Sequence, residues 1–388
     1  MSRKYLCSWL LALILTACGV TPNSTLVPAT ITAPTAVPTP ALTTAGIVQH
    51  IGQAPHRPAP SFNRESIGHF YAWTGVQDQL ARLFVGHLDT PPTALDLIAY
   101  YPQDLQLIAT QSGHLLFWLD RRDEADNLRL QVAVLDDEGT LTSSAVPIAN
   151  QRTRHYDAIT LSARDVRAVW SGGTGEVTDL YLHQVDNLGR PVGGDRLRIG
   201  GDYPALIRDN ADNVHLFWLE DNGRAVYQAR FDEIGNPRLQ AVQAISRLNL
   251  DVTDSILHFD AVFDGELVYL LWHVRRLDDT QRVLMSYGSL DAERFSPPEA
   301  LIIDGQTVRW ASASQTIESP LPIVTHDGTS LALTWLAEGA ITQVETLAQT
   351  APVIGRPQII SDEAQYTIGW AQATTNIYAD LWALQRPR

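Results

Sequence analysis

The sequence has few residues of several chemically useful kinds. It contains two cysteines, Cys7 and Cys18, and one lysine, Lys4, all near its N-terminus. Downstream of Cys18 there is therefore no thiol for a disulfide, a Cys-ligated metal or a Cys nucleophile. The formal net charge is −15 at pH 7. Such an acidic balance argues against binding of nucleic acid or anionic lipid through bulk charge.

Motifs of several enzyme and metal-site classes are also missing. The sequence has no G-x-S-x-G elbow, no HExxH motif and no S-x-D-x-G-x-T-W repeat of sialidase-type propellers. His69, His114 and His215 precede Trp residues at unequal distances, so we predict no metal ring from them. The acidic turn 209–213 could hold Ca²⁺ in principle but lacks the EF-hand ligand set. We therefore expect no metal and no cofactor.

The N-terminal segment has the three parts of an export signal. Arg3 and Lys4 carry positive charge, an apolar run broken only by Ser8 covers residues 6–15, and small residues precede Cys18. The run is too short to span a bilayer as a mature helix, which takes about 20 apolar residues. The pattern predicts that the chain is exported.

Leu15-Thr-Ala-Cys18 resembles the lipobox of bacterial lipoproteins. The resemblance covers only this segment and implies cleavage after Ala17, a diacylglyceryl group on Cys18 and a further acyl chain, such as palmitate, on the new amine. Two or more acyl chains anchor a protein stably. We therefore expect a membrane-anchored lipoprotein whose bulk is extracytoplasmic. An ordinary secretory signal with an accidental cysteine is the alternative, and which membrane holds the anchor stays open.

The next segment, residues 18–60, has the composition of a linker. It is built mainly from Thr, Pro, Ala and Ser, and it has no charged residue before Arg57. Repeated prolines interrupt any helix and favour an extended conformation, and few large apolar groups are present to offset chain ordering. We predict a signal peptide over residues 1–17, a tether over residues 18–60 and a folded domain over residues 61–388.

A short apolar run that ends in Trp recurs along that domain. The runs end at Trp118, Trp170, Trp218, Trp272 and Trp335, and similar runs end at Trp73 and Trp382. Successive Trp residues are about 50 residues apart, which is the period of a propeller blade rather than of a helical repeat. No long run with helical periodicity follows the N-terminal segment. Since these Trp residues lie inside apolar strands, we expect them in the core between blades.

Each Trp run belongs to a unit of four short segments rich in β-branched and aromatic residues. Tight turns within the units contain Gly139, Gly189 and Gly235, and glycine suits the positive φ of a hairpin with a bulge. Four-stranded units repeated about every 50 residues predict an all-β fold, a β-propeller whose blades stack around an axis.

Residues 179–193, with the turn Asp186-Asn-Leu-Gly-Arg-Pro191, are similar to a repeat of secreted bacterial propeller proteins. The resemblance implies the fold and an exported location, and it implies no activity. Five units are complete between residues 105 and 360, and both flanks supply partial units. The simplest closure joins the flanks into a sixth blade. A seventh blade is the alternative, because both flanks carry a Trp-type strand.

Charged residues collect directly after the Trp runs. They are Asp120, Arg121, Arg122, Glu220, Asp221, Arg275 and Arg276. In propellers such loops gather on one face around the axis, so we predict a binding site there. An arginine fork binds carboxylate well, which suits acidic sugars or a peptide carboxylate. A solvated rim is the alternative.

Trp310 differs from the other Trp residues because it lies beside Arg309 in a polar connection, residues 304–320, that lengthens one repeat. An exposed Trp-Arg pair could stack on a sugar or an aromatic ligand. A loop Trp folded back on the domain is the alternative.

Two functions stay open. The first is a membrane-anchored binding or scaffold module for a glycan or protein, which the lipid signal, the tether and the missing catalytic motifs favour. The second is a glycan-cleaving hydrolase or lyase that uses Asp120, Glu220 or Asp221, and only analogy of fold favours it. We expect the first function, with the membrane as a partner through Cys18 and no nucleic-acid partner.

Overall fold

A computed structural model describes residues 41–42, 46–55, 61–62, 70–77, 80–88, 90–121, 128–149, 151–162, 165–173, 178–220, 222–231, 244–251, 253–349, 352–374 and 378–388. These residues form strands, turns and connections and contain no helix. Accordingly, within these ranges no helix is long and apolar enough to cross a membrane. The predicted signal peptide and Cys18 lie outside the described residues.

The first half of the chain contributes two N-terminal strands and three blades. The N-terminal strands are β1 (Ala41–Leu42) and β2 (Ile47–Pro55). Blade 1 contains β3 (Ser61–Phe62), β4 (Phe70–Gln77), β5 (Leu80–His87) and β6 (Thr93–Ala94). Blade 2 contains β7 (Gln103–Thr110), β8 (Gly113–Arg121), β9 (Leu128–Leu135) and β10 (Val146–Pro147). Blade 3 contains β11 (Thr153–Ser162), β12 (Asp165–Gly172), β13 (Asp179–Asp186) and β14 (Pro191–Ile199).

The second half contributes four blades and one small hairpin. Blade 4 contains β15 (Asp202–Arg208), β16 (Val214–Glu220), β17 (Ala225–Arg230) and β18 (Ala244–Arg247). Blade 5 contains β19 (Ser255–Phe263), β20 (Val268–Arg275), β21 (Gln281–Gly288) and β22 (Glu299–Ala300). The hairpin consists of β23 (Ile302–Ile303) and β24 (Gln306–Thr307). Blade 6 contains β25 (Trp310–Ala313), β26 (Leu321–His326), β27 (Ser330–Ala337) and β28 (Ala340–Gln349). Blade 7 contains β29 (Val353–Ser361), β30 (Gln365–Ala373) and β31 (Tyr378–Pro387).

The N-terminal strands complete the last two blades. In blade 7 the strand order is β2-β31-β30-β29, and in blade 6 β1 lies outside β28. His50 pairs with Trp382, and Ala41 pairs with Gln349. Both chain ends therefore share one sheet, which leaves no open edge where the ring closes. The strand β2 lies within residues 18–60, the segment predicted to be a linker, and forms the outermost strand of blade 7.

Seven hydrophobic clusters lie between seven pairs of neighbouring blades. The cluster that closes the ring packs Trp73 of blade 1 against Leu381 of blade 7. The all-β propeller with four-stranded blades is confirmed, but the six-blade closure was wrong and the seven-blade alternative is right. The predicted blade number was wrong because the Trp residues do not mark the same strand in every blade. Trp272 and Trp370 lie on the second strands of blades 5 and 7, whereas Trp335 and Trp382 lie on the third strands of blades 6 and 7.

The indole rings of the second strands form the core of the blade interfaces. Trp118, Trp170, Trp218, Trp272 and Trp370 are fully buried. Burial of large aromatic side chains is the main source of stability that blades of this size can draw on. These Trp residues are therefore structural and do not face a ligand.

Candidate functional site

A bulge recurs where the first strand of a blade begins. The strand pairing shifts register between Gln103 and Gln106, Thr153 and His155, Asp202 and Ala205, Ile256 and His258, and Ile354 and Gln358. Three residues of these bulges have positive φ, namely Asp104 (51°), Tyr203 (49°) and Gly355 (69°). A bulge breaks the strict alternation of faces and re-aims a side chain. Each bulge therefore turns polar residues toward the axis.

These bulges surround a cavity of about 1560 Å³. Because the first strands begin where the second strands end, the cavity lies on the face that carries the loops between second and third strands. Its wall comes from all the blades, with His155 and Tyr156 on blade 3, His258 on blade 5 and Arg356 on blade 7. A cavity on the axis is the usual place for a ligand site in a closed ring of blades.

One wall carries a histidine that is held by an aspartate of the next blade. The His155 Nδ1 atom lies 2.9 Å from Asp202 Oδ1. Ser171 Oγ donates to the same oxygen at 2.5 Å, and the backbone N–H of Tyr203 donates to it at 2.9 Å. The imidazole also stacks on the Tyr203 ring, with centroids 3.6 Å apart. These contacts fix both the position and the tautomer of the ring, since a proton on Nδ1 leaves Nε2 as the acceptor.

His155 Nε2 has no hydrogen-bond partner among the described residues, and His155 lines the cavity. Burial raises the pKa of Asp202, but the hydrogen bonds from His155, Ser171 and the Tyr203 N–H outweigh it, so the pKa lies below its ordinary value. Burial and the nearby Asp202 raise the pKa of Tyr203. Tyr203 Oη donates to the Ile256 carbonyl at 2.7 Å, so this phenol supports the wall.

The opposite part of the cavity is built around Arg356. Its guanidinium contacts His258 Nε2, and Arg356 Nη1 lies 3.6 Å from Asp260 Oδ2. The register of blade 5 pairs His258 with His273, which is fully buried with both ring nitrogens unpartnered. Burial, with help from Arg356, holds the pKa of His273 well below its usual range. Arg356 therefore lies between the His258 imidazole and the Asp260 carboxylate.

Trp310 lies at the start of blade 6 and lines the cavity. One ring face stacks on His273 with centroids 4.7 Å apart, and Nε1 donates to Gln281 Oε1 at 2.8 Å. Burial lowers the pKa of the neighbouring His326 to about 4, and its Nε2 lies 2.8 Å from the Gly355 carbonyl. The insertion that contains Trp310 thus supplies the inner strand of a blade and part of the wall.

Three cavity arginines have no carboxylate within ion-pair distance among the described residues. They are Arg275, Arg276 and Arg309. Both Arg275, the last residue of β20, and Arg276, the first residue of the following loop, are exposed. The same loop contains Asp278, whose pKa is lowered mainly by hydrogen bonds from Thr280. Unpaired guanidinium groups at a cavity are suited to bidentate binding of carboxylate or sulfate.

The carboxylates of the cavity wall are mostly occupied. Asp157 Oδ1 accepts from Gln106 Nε2 at 2.9 Å, and Oδ2 accepts from the Leu206 N–H at 2.7 Å. Asp260 pairs with Arg356 and also accepts from the Ala261 N–H at 3.1 Å. Asp157 fastens blade 3 to both of its neighbours, Asp260 pairs blade 5 with blade 7, and the two carboxylates form no free acid-base pair.

The structure distributes the sequence-predicted residues over different environments. Arg275, Arg276 and Trp310 line the cavity together. Asp120 is fully buried, and its Oδ1 accepts from the Tyr100 N–H at 2.6 Å. Neither it nor its neighbour Arg121 is part of the cavity lining.

Glu220 has a structural partner as well. It forms a two-pronged contact with Arg198 at 2.6 and 3.2 Å and accepts from Trp218 Nε1 at 2.8 Å. It lies away from the cavity lining. Arg122 and Asp221 lie outside the described residues.

The acidic turn considered for Ca²⁺ is closed by its own hydrogen bonds. Asp209 accepts from Asn213 and contacts His215 Nε2 at 3.1 Å, and these bonds lower its pKa to about 2 against the effect of burial. Among the described residues, no group of three or more His, Cys, Asp or Glu side chains could hold a metal ion.

Sequence analysis missed His155 and Asp202. The signal that could have found His155 is the repeated His-aromatic-Asp of first strands, His155-Tyr-Asp157 and His258-Phe-Asp260, but Asp202 is not part of this pattern. These residues come from strands before the Trp runs, whereas attention fell on the loops after them.

Comparisons with known proteins show the fold. No family model matches the sequence, and no curated protein matches it. Among solved structures, the polysaccharide lyase Uly1 is similar with a TM-score of 0.58 and 8% identity, over 86% of this chain and 90% of that one. An oligogalacturonate lyase from Vibrio parahaemolyticus has a TM-score of 0.53 and 10% identity, over 89% of this chain and 96% of that one. An ulvan lyase is similar with a TM-score of 0.60 and 9% identity, over 87% of this chain and 95% of that one. Its structure is also solved bound to -[GlcA(1-4)Rha3S]-.

Proposed function

We propose that the domain cleaves an acidic polysaccharide by β-elimination in its axial cavity. The observation that carries the proposal is the His155–Asp202 pair, which leaves one imidazole nitrogen open to the cavity. A neutral imidazole held in one tautomer by a carboxylate is suited to act as a general base near neutral pH.

The chemistry follows from a uronate linked through C4. His155 Nε2 takes the proton from C5, the C5–H electron pair forms the C4=C5 double bond, and the bond from C4 to the glycosidic oxygen breaks. That oxygen leaves with a proton from the imidazolium or from water, so no water is consumed overall. A cation beside the uronate carboxylate stabilises the charge that develops there. Arg275, Arg276 and Arg309 are unpaired candidates for this contact.

Elimination fits the wall better than hydrolysis does. Hydrolysis of glycosides uses two carboxyl groups facing each other across the bond. Asp157 is hydrogen-bonded to blades 2 and 4, and Asp260 is paired with Arg356 of blade 7. Glu220, one of the acids predicted for catalysis, is paired with Arg198. The three similar structures named as lyases support the same reaction class without deciding it.

Purified protein incubated with a panel of uronate-containing polysaccharides tests the proposal. We expect release of unsaturated oligosaccharides, followed by their ultraviolet absorbance, and a fall of about 10²- to 10⁴-fold in rate for His155→Ala, the usual contribution of a general base. His87→Ala, a change in an outer strand of blade 1, is the matched control and should keep the rate. Full activity in His155→Ala would remove this residue from the mechanism.

A binding module is the second candidate, because unpaired arginines and exposed aromatic rings suffice to hold an acidic glycan without cleaving it. Glycan-array binding by wild-type protein, with no turnover of any bound glycan, is the result that favours it. If the domain only binds the glycan, His155→Ala should leave the affinity within about twofold of wild type, because a general base contributes to turnover rather than to binding.

We also propose that lipid on Cys18 holds the domain at an extracytoplasmic membrane surface. The support is the order of charge, apolar run, small residues and cysteine in the first eighteen residues. Metabolic labelling with palmitate should mark the wild-type chain and not Cys18→Ser. Labelling of both chains, or of neither, would contradict the assignment.

A further inference from the structure

Tyr101 is an aromatic side chain that the fold leaves exposed at the edge of the cavity. It lies in the connection between blades 1 and 2, lines the cavity and is 71% exposed. Its φ is 52°, in the left-handed region that bulky residues rarely adopt. An exposed ring on strained backbone is an arrangement that proteins keep mainly at functional sites.

The backbone on both sides of Tyr101 is fastened to the blades. The Tyr100 N–H donates to Asp120 Oδ1 at 2.6 Å, and the Tyr100 carbonyl accepts from the Arg121 N–H at 2.8 Å. On the other side, Thr74 Oγ donates to the Pro102 carbonyl at 2.9 Å in a buried contact. These anchors hold the tyrosine in place before any ligand arrives. Asp120, predicted as a catalytic acid, instead positions this loop.

The surroundings indicate what the ring would contact. A tyrosine offers a broad face at a small cost in side-chain entropy, and its hydroxyl end tolerates water. The C–H face of a pyranose ring is apolar and fits such a platform. Tyr101 lies just before blade 2, which is next to blade 3 with His155, while Arg275 lies on blade 5 and Arg309 lies directly before blade 6. Tyr101, His155 and both arginines line the same cavity.

We propose that Tyr101 is a stacking platform for a sugar ring of an acidic polysaccharide, at a subsite next to the unit that His155 attacks. The identity of the ligand rests on the proposed function, whereas the platform rests on exposure, backbone conformation and anchoring. The platform makes the site favour long chains over short ones, because a chain too short to reach Tyr101 gains nothing from it.

Binding of hexasaccharides and disaccharides tests the platform. The probes are oligomers of polygalacturonate, alginate and glucuronan, measured calorimetrically on the full chain carrying His155→Ala so that no turnover intervenes. Tyr101→Asn removes the ring, and Asn accepts the left-handed conformation. Tyr101→Phe keeps the ring. Tyr100→Ala removes the adjacent exposed ring, which does not line the cavity, and keeps its backbone anchors.

We expect Tyr101→Asn to weaken hexasaccharide binding by roughly tenfold, equivalent to about 1.4 kcal/mol. Tyr101→Phe and Tyr100→Ala should stay within about twofold of the parent, and disaccharide binding should not change in any variant. An unchanged melting temperature in Tyr101→Asn excludes a folding defect. Equal weakening by Tyr100→Ala, no weakening by Tyr101→Asn, or no binding of any probe would overturn the platform.

The two proposals fail in different ways. If Tyr101→Asn loses hexasaccharide affinity and the protein with His155 intact never cleaves these polymers, the platform is supported and elimination is refuted. Cleavage by wild-type protein with the same KM in Tyr101→Asn supports elimination and refutes the platform.

Discussion

Asp202→Asn is the substitution that isolates the electrostatic part of the proposed mechanism. All three donors that reach Asp202, from His155, Ser171 and the Tyr203 N–H, converge on Oδ1. Asparagine keeps an acceptor oxygen at that place and loses only the negative charge. The imidazole should therefore keep its position and tautomer while it loses the charge-assisted contact that stabilises the imidazolium formed in the reaction.

The expected size follows from the difference between charged and neutral hydrogen bonds. A bond to a charged group contributes about 1.5–3 kcal/mol and a neutral one about 0.5–1.5 kcal/mol. The His155 contact alone then loses about 1.4 kcal/mol, or about a tenfold fall in kcat/KM.

The stability of the variant provides a second readout with a defined sign. The pKa of Asp202 is lowered in the folded protein. Its charge therefore stabilises the fold above the unfolded pKa of about 4, and this contribution is lost as pH falls toward the folded pKa. The free energy of unfolding of wild type should exceed that of Asp202→Asn at neutral pH, and this difference should disappear as the pH falls below about 4. Urea unfolding at a series of pH values measures it.

Asp186→Asn serves as the control. Asp186 also has a lowered pKa, because hydrogen bonds from Arg190 and Leu188 outweigh its burial, but it lies in a turn away from the cavity. Its variant should keep the wild-type rate and pH profile. An unchanged rate in Asp202→Asn, with His155→Ala inactive, would refute the idea that the charge of this carboxylate assists the base.

Three further outcomes are expected. His50→Ala leaves the buried Asp380 without its hydrogen-bond partner at 3.2 Å, and the free energy of unfolding in urea should fall by about 2 kcal/mol, the cost of leaving a buried acceptor unsatisfied; a loss below about 0.5 kcal/mol would show that this contact does not secure the ring closure. Trp118→Ala empties a fully buried site between two blades and should cost about 3–5 kcal/mol by the same assay, and a smaller cost would mean that the interface collapses around the gap. Arg275→Gln with Arg276→Gln should raise KM for an acidic polysaccharide more than it lowers kcat, and the effect should shrink with added salt; a salt-independent KM would contradict a role in binding charge.

The blades could be predicted from the sequence because each one repeats an apolar strand that ends in Trp. The blade number could not, because blade 6 carries Trp335 on its third strand and has Leu321–His326, without Trp, as its second. The strand β2 could not be predicted from the sequence either. The outermost strand of a blade has one neighbour and needs little apolar surface, so Ile47–Pro55 had no strong strand signal.

The candidate site was predictable only in part. Arg275, Arg276 and Trp310 line the cavity because loops on one face converge around the axis. Glu220 carries charge in an equivalent loop but pairs with a neighbouring strand. His155 and Asp202 meet across two blades through bulges that a single sequence does not reveal.

The chemical nature of the product end tests the central claim most directly. Mass spectrometry of oligosaccharides released from a uronate polymer distinguishes elimination from hydrolysis, because hydrolysis adds one water for every bond cleaved. Elimination through His155 predicts a new unsaturated end and no added water, and loss of this product in His155→Ala. Hydrated ends carrying solvent ¹⁸O at the cleaved bond would contradict it.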